Sequence, residues 1–134
     1  MKKQEEHMSD EVCLTIPAHP SFITLARMVA AGMSARAGFT HEEVEDLRLA
    51  LDELCFSLIG LEGEPGSVQL HYRIDDTYLA VDACSIRVEG QGQIHSTEFS
   101  QALLDALVDD HGAEESGDPG PVVWLRKRHH GDKS

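Results

Sequence analysis

The sequence predicts an α+β domain, a two-layer sandwich with helices on one face of a mixed or antiparallel sheet. Three observations carry this. One short strand precedes two segments of helical spacing, two alternating apolar segments flank a turn, and a third helical segment leads into a last strand. The predicted order is therefore strand, helix, helix, strand, strand, helix, strand.

Cys13-Leu14-Thr15-Ile16-Pro17 is partly β-branched and stopped by proline, as suits a strand at a sheet edge. Pro20 can open a helix, where its missing N–H would have no partner anyway. Phe22, Leu25, Val29 and Met33 then recur at helical spacing, and Gly38 follows as a C-terminal cap. Thr40-His41-Glu42-Glu43 has the form of a capping box and starts the second helix. Val44, Leu47, Leu51, Leu54, Cys55 and Leu58 form one stripe of it, while Leu49 and Phe56 lie on the far side with Asp46, Glu53 and Ser57. Such a helix is covered on more than one face, so a polar group on its second face needs a partner or a task.

Val68, Leu70, Tyr72 and Ile74 alternate with polar residues as in a half-buried strand. Asp75-Asp76-Thr77 turns the chain, and Tyr78 to Cys84 forms the return strand of a hairpin. Gly90-Gln91-Gly92 opens a loop. Phe99 to Val108 has helical spacing, with Asp109-Asp110 opposing the helix dipole at its end. His111 to Gly120 reads as a polar loop, and Pro121 to Leu125 as the final strand before the basic Arg126-Lys127-Arg128.

At 134 residues there is room for one domain with one core. Residues 1–10 are set apart as an N-terminal extension and 129–134 as a tail, leaving 11–128 as the domain. A net charge of −13 repels phosphate backbones and anionic lipid, so nucleic acid and membrane surfaces are poor partners. A basic protein would be attracted, although acidity also serves solubility alone. Cys13, Cys55 and Cys84 are expected as reduced core residues. With no apolar run of membrane-spanning length and no secretory leader, the expected compartment is the cytoplasm.

The eight histidines have neither helical pairing nor neighbouring cysteines, which makes them scattered surface imidazoles and predicts no metal site. No nucleophile elbow and no phosphate-cradling glycine loop occurs. Asp52-Glu53 is the acidic pair worth weighing. Glu53 shares a face with Ser57, one turn along, and is accounted for either by a solvated helix face or by a general base.

Leu14-Thr15-Ile16-Pro17-Ala18, Arg27 in the first helix, and the run Gly38 to Cys55 with Asp-Leu-Arg-Leu-Ala and Asp-Glu-Leu-Cys form a recognisable pattern. It resembles the anti-sigma factors of bacterial stress response and sporulation, serine kinases of the histidine-kinase/Hsp90-like ATPase fold. The actinobacterial stress-sigma members are the nearest likeness. The resemblance covers most of residues 12–128. It implies a catalytic base at Glu53, a magnesium-binding position at Ser57 where the family has asparagine, and an adenine-reading position at Asp82. It also implies a sigma-factor contact at Arg27, for which a solvated helix residue is the alternative.

Three parts of the family's nucleotide pocket are altered. Ser57 replaces asparagine, Asp82-Ala83-Cys84-Ser85-Ile86 has no glycine, and Glu89 to Ser100 is short for a lid. The expectation is thus a homodimeric regulator that binds a sigma factor, and in addition an anti-sigma antagonist of the STAS type, with no cofactor. The alternatives are an active kinase using ATP and magnesium, and a domain that only dimerises or scaffolds.

Overall fold

The computed structural model describes residues 10–86, 94–115 and 120–129. Five strands form one sheet, β1 (Asp10–Pro17), β2 (Ser67–Ile74), β3 (Tyr78–Ile86), β4 (Asp110–Glu114) and β5 (Val122–Arg128), in the order β1-β2-β3-β5-β4. Every neighbouring pair is antiparallel. Three helices, α1 (Ile23–Arg36), α2 (His41–Ile59) and α3 (Glu98–Leu107), pack on one face. The two-layer sandwich is as expected, and the sheet is purely antiparallel.

The start of α2 obeys its sequence signal. Glu43 N–H donates to Thr40 Oγ1 at 3.1 Å, and Thr40 N–H donates back to the Glu43 carboxylate at 2.8 Å. Gly60, at φ 77°, ends it, with its N–H on the Phe56 carbonyl. Leu47, Leu51, Leu54, Cys55 and Leu58 are all buried against Val68, Leu70, Leu79 and Val81 of the sheet and against α1. Each such leucine contributes about 1.5–3 kcal/mol by leaving water.

Several expectations are corrected. The buried face of α1 is Ile23, Ala26, Ala30 and Ser34, because small residues let α1 approach the Tyr72 hydroxyl, which donates to the Ala26 carbonyl at 2.9 Å. Leu25 is 45% and Met28 62% exposed, so the stripe read from Phe22, Leu25, Val29 and Met33 is turned partly outward. Residues 110–114 are not loop but the edge strand β4, whose polar sequence carries no alternation because none of its residues is fully buried. Gly112 permits this pairing, since a Cβ there would lie 2.6 Å from the Trp124 ring.

Asp10 already pairs with Ile74 in β1, and His129 is no free tail residue. Its ring stacks on Phe39 at 4.4 Å, and Nδ1 lies 3.1 Å from the Glu43 carboxylate. The expected Gly90–Gly92 loop lies outside the described residues. No helix is long and apolar enough to cross a membrane among the described residues.

The cysteines divide. Cys55 is buried, and burial pushes its thiol up to about 12, whereas Cys13 is exposed on the edge strand and Cys84 is half-buried. A thiol held that far above neutrality has almost no thiolate. Under native conditions a thiol reagent should therefore modify Cys13 first and spare Cys55 until denaturant is added, as read by peptide mass spectrometry. Rapid native labelling of Cys55 would contradict this packing.

Candidate functional site

Glu53 and Ser57 stand one turn apart on α2, and the chain around them takes up their polar groups. Ser57 Oγ is buried and donates to the Leu54 carbonyl at 2.6 Å. The Ser57 carbonyl accepts the His95 N–H at 2.6 Å. Ser100 Oγ donates to Glu53 Oε1 at 2.8 Å. Ser100 is held there because its own N–H donates to Thr97, the N-cap of α3.

The segment 94–97 is thereby strapped across the last turns of α2. His95 Nε2 lies 2.9 Å from Glu64 Oε2, and a Cβ on Gly60 would meet this imidazole at 3.2 Å. The space left beside Ser57, among Glu53, Ile94, Leu104, His111 and Val123, is about 90 Å³. At ~30 Å³ each, that is room for roughly three water molecules. A larger groove of about 750 Å³ opens beyond the strap, between the end of α2, residues 60–64 and the start of α3.

Asp82 is not brought to this place. Its neighbours Val81 and Ala83 point into the core, so the period of two turns Asp82 to the outer face of the sheet. There it lies 3.7 Å from Arg73 of β2. The structure therefore does not bring Asp82, the adenine-reading position that the resemblance implies, together with Glu53 and Ser57.

Arg27 is tied across the two first helices. Its Nε lies 3.1 Å from Asp52 Oδ1, and Nη2 donates to Thr24 Oγ1 at 3.2 Å. Neither Arg27 Nε nor Asp52 Oδ1 has an aligned hydrogen bond among the described residues, so the contact is a Coulombic one. Burial raises the Asp52 carboxyl above its ordinary value; Arg27 opposes this, Glu53 adds to it, and Arg48 opposes it.

Sequence reasoning missed the strap. Only the Thr97-x-x-Ser100 cap hints at it, and nothing marks His95. The histidines are also less scattered than expected: His71, His95, His111 and His129 each lie within 3.1 Å of a carboxylate. No group of three metal-ligating side chains occurs among the described residues.

Comparison with known proteins decides the family. No family model matches the chain. Serine-protein kinase RsbW of Bacillus pumilus is 30% identical over 121 residues, covering 87% of this chain and 72% of the relative. RsbW of Listeria innocua is 32% identical, covering 88% and 69%. The chain belongs to the RsbW family of anti-sigma-factor serine kinases. RsbW of Bacillus subtilis, at 22% identity, matches over the same span of this chain, 87%. The α+β sandwich described above accords with the histidine-kinase-like ATPase fold of that family.

The raised Asp52 carboxyl has a definite sign. A carboxyl that holds its proton more tightly when folded stabilises the native state as pH falls through its folded pKa, until the unfolded group is protonated near pH ~4. The stability of the wild type relative to Asp52→Asn should therefore increase between pH 7 and about 4. Urea unfolding of both proteins across that range checks this; a relative loss on acidification would mean that attraction to Arg27 outweighs burial.

Proposed function

We propose that this RsbW-family protein sequesters a sigma factor by protein–protein binding and does so without phosphoryl transfer. The observation that carries the binding half is the outward face of α1. Phe22, Leu25 and Met28 stand 37%, 45% and 62% exposed, and Arg27, set among them in the sequence, is held by Asp52. Exposed apolar side chains and a fixed guanidinium on one helix are residue types from which binding hot spots are built. The excess of carboxylates suits a partner that presents a basic surface.

The strap supports the second half. A nucleotide needs a pocket of roughly 300–1,000 Å³ with free polar groups. Beside Ser57 the volume is about 90 Å³, the hydroxyl and the carbonyl are both engaged, and Asp82 is on the other side of the sheet. These engagements support a reading in which ATP and magnesium are not held beside Ser57. A homodimer belongs to this reading too, since β1 presents one edge without a strand partner among the described residues. So does an anti-sigma antagonist of the STAS type, competing for the same face of α1.

Calorimetric titration with the sigma factors of the source organism, one at a time, should find one tight partner. Arg27→Glu should weaken that complex tenfold or more, by about 1.4 kcal/mol at least. ATP with magnesium should give no heat up to millimolar concentration. Unchanged sigma-factor affinity in Arg27→Glu would remove the docking surface. Micromolar ATP binding, with phosphorylation of an antagonist abolished by Glu53→Ala, would instead make the protein a kinase with Glu53 as base.

A further inference from the structure

We propose that the groove of about 750 Å³ at the end of α2 is a docking slot for a cationic, amphipathic segment of a protein partner, and not a site for an anion. Its size lies within the range of built binding pockets. Half-buried Phe56 supplies an apolar floor, and Leu61 forms the lip.

Leu61 is 85% exposed, the most exposed large apolar side chain among the described residues. It is not on a loose loop. Glu64 N–H donates to the Ala18 carbonyl at 2.8 Å, and Ala18 N–H donates to the Gly66 carbonyl at 3.1 Å. Gly63, at φ 93°, lets the chain pass so close to β1 that a Cβ would lie 3.1 Å from that Ala18 carbonyl. The lip is thus pinned at two points while its leucine is held in water, which leaves apolar area to be covered by a partner.

The sign of the charge identifies the partner's chemistry. Three carboxylates, Glu53, Glu62 and Glu64, line the groove. Glu53 accepts from Ser100 and Glu64 faces His95, but Glu62 makes no ion pair among the described residues. The C-terminal end of α2 adds to the same field, because its last turn carries no basic residue to offset the negative end of the helix dipole. The opposing positive end of α3 is capped by Thr97 and bears Glu98 in its first turn. A chain of net charge −13 reinforces the preference at long range. An arginine- or lysine-bearing segment with leucine or phenylalanine between its cations matches floor, lip and field together.

The proposal does not rest on the sigma-factor reading, and its test contains no sigma factor. Isotope-labelled protein is titrated with two short peptides of identical apolar residues, one bearing arginines and the other glutamates at the remaining positions. The arginine peptide should shift the amides of Ile59, Gly60, Leu61, Gly63, Ser96 and Thr97 and saturate, and the glutamate peptide should leave them in place. Glu62→Gln and Leu61→Ser alter exposed side chains and should each weaken the arginine peptide by up to about fivefold. Equal binding of both peptides would overturn the proposal. So would shifts spread over the whole acidic surface without saturation, or indifference to Leu61→Ser.

Discussion

The second helix is buried from three directions at once, by α1, by α3 and by the sheet, and this governs what its polar side chains can do. Water reaches Ser57 poorly, so its hydroxyl turns back to the Leu54 carbonyl and its own carbonyl must find a donor. The His95 N–H supplies one. Once His95 is there, Glu64 meets its imidazole, Gly60 must remain glycine-sized beneath it, and Ser100 falls within reach of Glu53. The backbone contact draws the start of α3 against the end of α2 and divides one interhelical space into a small inner void and a larger outer groove.

A kinase of this fold needs that same space open. Here the groups nearest Ser57 and Glu53 are committed to one another, and the outer groove presents carboxylates where an ATP-binding site would need to tolerate phosphates. The exposed apolar residues Phe22, Leu25 and Met28 and the Arg27–Asp52 pair take no part in these contacts around Ser57. In the function proposed above, partner binding and phosphoryl transfer would use different residues, so one could persist without the other.

The parts of the fold legible in the sequence are those with a local cause. The Thr40–Glu43 capping box, the alternation of β2, the hairpin turn and the leucine stripe of α2 all depend on residues within a few positions of one another. The first helix was read at the right place but on the wrong face, because alanine and serine carry little hydrophobic signal and yet are what close packing against Tyr72 requires. The edge strand β4 was missed because it depends on pairing with β5 and on Gly112 lying under Trp124, both non-local. At the site, helical spacing alone places Glu53 and Ser57 on one face, while Arg27 is singled out only by the resemblance. Asp82 was carried over by position in the chain, and the strand period then placed it on the opposite face.

The most direct measurement is amide hydrogen exchange at His95, whose N–H donates to the Ser57 carbonyl and holds residues 94–97 against α2. The account predicts that this amide is protected well beyond the rate of an open loop, and that millimolar ATP with magnesium leaves its protection unchanged. Exchange at the rate of an unprotected loop, or a change in protection on adding nucleotide, would contradict a site closed by the chain's own strap.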